Sequence, residues 1–293
     1  MAVLAGWQIT TRLASVDMDR SPLDFETDEE LRSAFIREIT LRQLDGGWAA
    51  SDSGKGGAPI PKRLIRYWHD LSDLPGDVRE CLDSWDRLAD DGFELHLFDD
   101  ASAATYIAAT YGDRECRAFA RCGHPAMRSD YLRMCFVLAE GGFYVDADDV
   151  LVGDGWKSMF GDGRLKLQPL CYDIAAGAMA ASTDIWRPDL PTTDRIFYVN
   201  NDPIVAPSGH PVVRRALDAA TAKLLDDEWH AEIQSTTGPG NLTAALAAHA
   251  QELWLACTPP DFELLRDWDS IAEMRWDLSY RNDARNWRNV YGY

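Results

Sequence analysis

The sequence predicts an α/β protein whose mostly parallel central sheet is flanked by helices, and three stretches carry that prediction. Phe93-Glu94-Leu95-His96-Leu97-Phe98 alternates apolar and polar residues, the period of a half-buried strand, and Asp99-Asp100-Ala101 then opens an alanine-rich helix. Pro125 opens another helix that runs to Glu140, where Gly141-Gly142 ends it. Phe143-Tyr144-Val145 follows as a short buried strand and delivers an acidic cluster at its C-terminal end. Strands that alternate with helices build a mostly parallel sheet. Ligands of such sheets bind beyond the carboxyl ends of the strands.

In chain order, residues 1–58 read as an extension. The segment 28–44 is an amphipathic helix with Leu31, Phe35 and Ile39 on one stripe. The segment 45–58 carries five glycines among small polar residues, which is linker composition. Residues 59–293 read as one α/β domain. Its first strand is Arg63-Leu64-Ile65-Arg66-Tyr67-Trp68, and 77–89 is a helix. Beyond the acidic cluster come strands near 164–169 and 196–206 and helices near 211–225 and 239–251. Gly153, Gly155, Gly161 and Gly163 mark a loop that either closes over a ligand or serves as an ordinary turn.

With 293 residues the chain can bury one large core or two modest ones. A 46% hydrophobic share with 11 tryptophans, and a mean hydropathy of -0.30, fit a soluble globular protein. No apolar run approaches the ~20 residues of a membrane helix. Residues 1–15 lack the basic start and small-residue cleavage site of a secretory signal, so a cytoplasmic location is expected. The 29 basic and 48 acidic side chains give a net charge of -19. That excess argues against a nucleic-acid partner, which needs a concentrated basic surface. It also disfavours an anionic nucleotide ligand unless a divalent cation or an arginine cluster offsets the field. The six cysteines show no C-x-x-C pair and no histidine at zinc spacing, and read as reduced core thiols.

Asp146-Ala147-Asp148-Asp149 is the most informative stretch. At ~4 Å and an effective dielectric near 20, each like-charge pair costs about 4 kcal/mol, a cost that a cation relieves. Hard oxygen ligands after a strand suit Mg²⁺ or Mn²⁺, which bridge carboxylates to a diphosphate; the bland alternative is a solvated acidic turn. The preceding helix carries Arg128, Asp130 and Arg133, and the last two share a face. A carboxylate beside a guanidinium supplies the acceptor and forked donor that hydroxyl-rich ligands need, although a surface salt bridge looks the same in sequence.

Ser129-Asp130-Tyr131-Leu132-Arg133 followed by Gly141-Gly142-Phe143-Tyr144-Val145-Asp146-Ala147-Asp148 resembles the sugar-binding region with the D-x-D motif. That region occurs in glycosyltransferase family 32 and in the clostridial glucosylating toxins. Ile60-Pro61-Lys62 with Trp68 resembles the family's opening strand. Asn201-Asp202-Pro203-Ile204, Gly209-His210-Pro211 and Thr237-Gly238-Pro239 resemble its later segments, so the likeness covers roughly 59–243. It implies a glycosyltransferase A-type (Rossmann-like) fold in which 59–293 form the catalytic domain. It also implies a nucleotide-sugar donor, Mn²⁺ or Mg²⁺, and retention of anomeric configuration. UDP-sugars are slightly favoured over GDP-sugars, and the acceptor (glycan, lipid, protein or small metabolite) is open.

Residue by residue, the resemblance implies that Trp68 stacks on the base and that Asp130 and Arg133 hold donor-sugar hydroxyls. Asp146 would contact ribose and sugar, Asp148 would ligate the metal, and Asn201 would lie beside the transferred sugar. Relatives often close the site with a histidine and a serine-tryptophan pair. Here Asn282-Asp283-Ala284-Arg285-Asn286-Trp287 stands there, with Trp287 on the diphosphate and Asp283 or Asn286 on the metal. The chain also departs from the family in having Ile65 where a histidine is common and Asp149 where an apolar residue is usual. Two other readings remain open at this point. One is a phosphatase of the haloacid dehalogenase type with Asp146 as nucleophile; the other is a nucleotide-sugar or glycan binder without turnover. The remaining tryptophans, including Trp48, Trp156, Trp268 and Trp276, read as packing residues, and His69, His124, His210 and His249 as structural ones.

Overall fold

The computed structural model describes residues 23–44, 58–229 and 232–291. Most of the expected extension, including the glycine-rich stretch with Trp48, lies outside the described residues. Among the described residues the first helix is Glu29–Leu44, followed by β1 (Arg63–Tyr67), the helix Gly76–Ser84 and β2 (Glu94–Phe98). Helices Asp100–Thr110, Asp113–Ala120 and Pro125–Glu140 lead into β3 (Gly142–Tyr144) and β4 (Asp149–Leu151). Then come β5 (Leu165–Asp173), β6 (Ala178–Met179), a short helix Ser182–Ile185 and β7 (Arg195–Ala206). Helices Pro211–Leu225, Ile233–Thr236 and Pro239–Leu255 precede β8 (Phe262–Leu264), β9 (Ala272–Met274) and the final helix Trp287–Tyr291. Among the described residues no helix is long and apolar enough to cross a membrane.

The main sheet has the order β2-β1-β3-β7-β5-β6, with β8 pairing on β5. β1 runs parallel to β2 and β3, and β5 parallel to β8, while β7 runs antiparallel between β3 and β5. The α/β class therefore holds, with its parallel ladders on either side of β7. The register Tyr144↔Ile204 brings the residues after β3 next to the middle of β7. Asp146 thereby meets Asp202. β4 and β9 form a separate antiparallel pair beneath the acidic turn.

Successive strand residues point to opposite faces, and the core follows that rule. Ile65 and Tyr144 join the larger cluster with the helix Pro125–Glu140, whereas Leu64 and Phe143 join a second with Trp85, Trp156 and Trp268. Pro125–Glu140 is buried over most of its circumference, packing on β3, β7 and the helix Pro211–Leu225. Its N-terminus is capped by His124, whose Nδ1 accepts from Ala126 N at 3.1 Å. The expected helix over 77–89 breaks at the fully buried Trp85 and continues as a tight turn, Asp86–Ala89. The Trp85 indole is drawn inward, donating to the Asp149 carbonyl at 2.8 Å.

The helix Glu29–Leu44 is built into the main core through Phe35, Ile36 and Ile39. Its Ser33 Oγ accepts from Phe197 N in β7 at 2.9 Å, and Gln43 bonds both backbone groups of Leu264 in β8 at 2.8 Å. The cysteines are unbridged, and Cys81, Cys122, Cys135 and Cys171 are buried as expected. Cys257 departs from that expectation: it sits exposed in a turn after the helix Pro239–Leu255. The glycine-marked loop after the acidic turn is packed, with Trp156 and Met159 buried in the second cluster.

Gly141 and Gly142 explain why the sequence needs two glycines before the acidic turn. Both have positive φ, +69° and +133°, and a Cβ on either would lie 2.7 Å from backbone, at Ser208 N and Arg63 O. Gly142→Ala is expected to destabilise the protein by on the order of 3 kcal/mol. Tm should fall by roughly 5–10 °C. Thermal unfolding followed by circular dichroism measures this, and an unchanged Tm would show that β1 and β3 can separate without loss.

Candidate active site

The acidic turn leaves β3 at the carboxyl ends of β1 and β3, where the chain expects its ligand, and opens into a cleft of about 510 Å³. Trp68, Asp130, Arg133, Asp146, Asp148, Asn201, Asn286 and Trp287 all line it. Asp283 is not among the lining residues.

The centre of the floor is Arg133, whose side chain is only 4% exposed. Its Nη2 reaches Asp146 Oδ1 at 2.8 Å, Ser129 Oγ at 3.1 Å and Asp130 Oδ1 at 3.2 Å. Its Nη1 donates to the Asn201 carbonyl at 2.8 Å, and its guanidinium lies 3.9 Å over the Tyr144 ring. The expected Asp130–Arg133 pair is therefore a buried structural hub rather than a surface salt bridge. Burial works against the Arg133 charge, yet Asp146, Tyr144 and Asp130 outweigh it and hold the guanidinium protonated beyond its ordinary range. Asp130 accepts from Asn201 Nδ2 at 2.8 Å and Thr237 Oγ1 at 3.0 Å. Burial pushes its carboxyl up to about 6, with Arg133 opposing.

Asp146 is the end of this network that reaches the cleft, with 36% of its side chain exposed. Its Oδ1 also accepts from Tyr144 OH at 2.8 Å, and its backbone N–H donates to Asp202 Oδ1 at 3.1 Å. Beneath the turn, Asp149 and Asp202 are each 2% exposed. Burial, then the neighbouring carboxylate, pushes each well above the ordinary range. Asp149 Oδ1 has no hydrogen-bond partner.

Asp148 faces the C-terminal segment. Its Oδ2 accepts from Tyr280 OH at 2.9 Å and pairs with Arg281. Burial, then Asp146, raises its carboxyl, and Arg281 opposes the rise. Trp68 is mostly buried, with the Tyr280 ring edge-on at 5.2 Å and Arg285 at 6.0 Å from its centroid. The C-terminal residues separate. Asp283 is bound by Arg285, at 2.7 Å from Nη2, and does not line the cleft. Asn286 donates to the Arg281 carbonyl at 2.9 Å and accepts from Arg288 N at 3.3 Å.

The structure places in the site residues to which sequence reasoning gave no role there: Ser129, Tyr144, Asp202, Thr237, Trp276, Tyr280 and Arg281. Trp276, read as packing, is half exposed at the cleft mouth, under the guanidinium of Arg281 at 4.6 Å and of Arg288 at 4.9 Å. The density of aromatic and basic residues over 276–288 was the one available signal for these three. The histidines fall into structural places, His124 and His210 as helix caps and His249 against Asp261 at 2.8 Å. His69 also lines the cleft.

As a cation site the cleft offers Asp148, with the partly exposed carboxylate of Asp146 two residues away. Among the described residues, no group of three or more His, Cys, Asp or Glu is arranged to hold a metal ion. A small divalent cation held by one or two carboxylates and a bound diphosphate needs no such group.

No family model matches the chain. The chain is 23% identical over 199 residues to the initiation-specific alpha-1,6-mannosyltransferase of Saccharomyces cerevisiae, a match covering 57% of this chain and 40% of that protein. The chain thus spans well under half the length of that curated relative. Among solved structures it resembles the PaToxG glycosyltransferase, with a TM-score of 0.47 and 15% identity over 89% of this chain and 98% of the other.

Proposed function

We propose that this chain is a retaining, metal-dependent glycosyltransferase that takes its sugar from a nucleotide-sugar donor, UDP-linked in preference to GDP-linked. The observation that carries the reading is the Arg133 hub. It gathers Asp130 from a helix, Asp146 from the acidic turn and the Asn201 backbone from β7 onto the floor of one cleft. The yeast mannosyltransferase likeness supports the same reading.

Asp146, held by Arg133 and Tyr144, presents its exposed carboxylate edge to ribose and sugar hydroxyls, which it accepts as hydrogen bonds. Asn201 and Asp130 hold the sugar-facing wall. Trp68 offers its ring to the base. Asp148 would hold the metal, and Mn²⁺ or Mg²⁺ there would stabilise the departing diphosphate as a Lewis acid. Arg281, Arg285 and Arg288 at the mouth supply the positive charge that a net charge of -19 otherwise denies to an anionic donor. The acceptor then attacks the face from which the phosphate leaves, and the leaving oxygen takes its proton. Asp283, bound by Arg285 outside the cleft, has no part in this scheme.

Incubation with Mn²⁺ and a panel of UDP-, GDP- and dTDP-sugars, with nucleotide release as readout, tests the reading. Slow hydrolysis of one donor is expected, falling at least about 100-fold in Asp148→Ala, the scale of losing a key electrostatic contact. EDTA should have the same effect. Donor binding without release, even with an acceptor panel, would favour a binding protein. A product of inverted configuration would exclude the front-face route.

A further inference from the structure

Four arginines line the cleft, and three are committed to fixed partners. Arg133 lies under the floor between carboxylates; Arg285 is bound to Asp283; Arg288 stacks between the rings of Trp276 and Trp287, at 4.9 and 5.3 Å. Arg281 is placed differently. Its guanidinium pairs with Asp148, the acid of the turn expected to carry the metal, and both side chains are nearly buried, at 13% and 14% exposure. The rings of Trp276 and Tyr280 lie 4.6 and 5.3 Å from it, and its Nε is buried with no hydrogen-bond partner. The backbone beneath is fixed: the Arg281 carbonyl accepts from Asn286 and Asn289, each at 2.9 Å. The backbone of Asp148 is fixed as well, its carbonyl accepting from Arg275 N at 2.9 Å.

A guanidinium and a divalent cation cannot share one carboxylate oxygen at close range without strong mutual repulsion. Asp148 Oδ2 already carries Arg281 and the Tyr280 hydroxyl. From this we infer that Arg281 is a two-position residue of the donor site. It is the counter-cation of Asp148 while the cleft is empty, and it turns its donors onto the donor diphosphate when a divalent metal takes Asp148. The flanking aromatic rings and the anchored backbone keep the freed guanidinium over the cleft, and the planar fork that pairs with a carboxylate pairs equally with phosphate oxygens. The unspent Nε donor is consistent with a second binding position. The inference rests on the glycosyltransferase reading for the diphosphate but not for the metal. It makes Arg281 a competitor of the metal alone and a helper of metal and diphosphate together, so the two ligands bind with positive coupling.

Mn²⁺ binding to the full chain, followed by electron paramagnetic resonance of free Mn²⁺, separates these roles. Without nucleotide, Arg281→Gln should bind Mn²⁺ about tenfold more tightly than the parent, a typical coupling. Arg281→Lys, which keeps the charge, should stay near the parent. With UDP present the order should reverse, the glutamine variant binding the metal–nucleotide pair about tenfold more weakly. Asp148→Asn should remove the metal site in either background. Equal Mn²⁺ affinity in the parent and the glutamine variant, no Mn²⁺ binding in any variant, or binding that survives Asp148→Asn would each overturn the inference. Failure of UDP alone to bind, with the Mn²⁺ ordering intact, would instead count against the donor reading and leave only the counter-cation half standing.

Discussion

Replacing Arg133 with methionine is expected to cost about 3–5 kcal/mol of unfolding free energy, the range for breaking a buried ion pair from one side, and to abolish donor hydrolysis. The guanidinium serves two carboxylates, a hydroxyl and a backbone carbonyl at 3.2 Å or less, and it fills the face of the Tyr144 ring. Methionine of similar length restores some of the packing but none of the charge. Asp130, nearly fully buried, would then have only Asn201 and Thr237 to offset the loss of water. The midpoint of urea unfolding should fall with the slope unchanged, since the surface exposed on unfolding is the same. Arg133→Lys should lie between the two, because an ammonium keeps the charge but cannot span Asp146, Asp130 and the Asn201 carbonyl in one plane. Asp146→Asn separates stability from chemistry. Asp146 is 36% exposed and an amide oxygen in its place can still accept from Arg133, so stability should fall by less than in Arg133→Met while hydrolysis is lost. A midpoint that does not move in Arg133→Met would mean that the network is solvated and contributes nothing to the floor of the cleft.

The part of this architecture that was legible in the sequence is the part that is local. Proline and histidine at the start and Gly141-Gly142 at the end define the helix Pro125–Glu140, and the aspartates after β3 follow directly. The direction of β7 was not legible, because an apolar run over 196–206 reads the same whichever way it is paired. The packing of Glu29–Leu44 on β7 was hidden for a similar reason. The glycine-rich composition that follows it says nothing about where its Phe35–Ile39 stripe is buried. In the site, Asp130 and Arg133 were found from their three-residue spacing, but what they contact was not. Thr237 and Asn201 arrive from 107 and 71 positions away. Tyr280 and Arg281 reach Asp148 across 132 and 133 positions, and nothing in their own neighbourhood marks that partner. Asp283, expected as a metal ligand, has a local partner that its sequence context did not reveal: Arg285 two residues on binds both its carboxylate oxygens.

Asp149, which the sequence reading set apart from the motif it resembles, is buried beside Asp202. The two buried acids are neighbours beneath the turn, and Asp202 Oδ1 receives the Asp146 N–H at 3.1 Å. Two buried carboxylates in contact cannot both ionise, so the pair keeps a proton, and the protonated member acts as a donor inside the fold. Asp202→Ala removes the acceptor of the Asp146 N–H and strands Asp149, and should cost about 2–3 kcal/mol, the penalty of buried polar groups left without partners. It should also loosen the turn that aims Asp146 and slow hydrolysis. Asp149→Asn is the more telling change, because asparagine donates to Asp202 without a titrating proton. In the parent both carboxyls sit above their unfolded values, Asp149 through burial and then the adjacent Asp148, Asp202 through burial and then Asp149, so the folded state holds the proton more tightly than the unfolded chain. Stability from the pair is therefore complete below the ordinary carboxylate value of about 4 and falls as pH rises from there towards the raised folded values. Asparagine removes one titrating group and lets Asp202 ionise against a neutral donor. Relative to the parent, the Asp149→Asn protein should accordingly gain stability steadily as pH rises above that range, and lose its advantage on acidification. Carboxylates held low by partners, such as Asp261 beside His249, act in the opposite sense but equally in both proteins, so the difference between the two unfolding curves isolates the pair. A difference that stays constant from acid to neutral pH would mean that Asp149 and Asp202 share no proton and that the turn is held by backbone contacts alone.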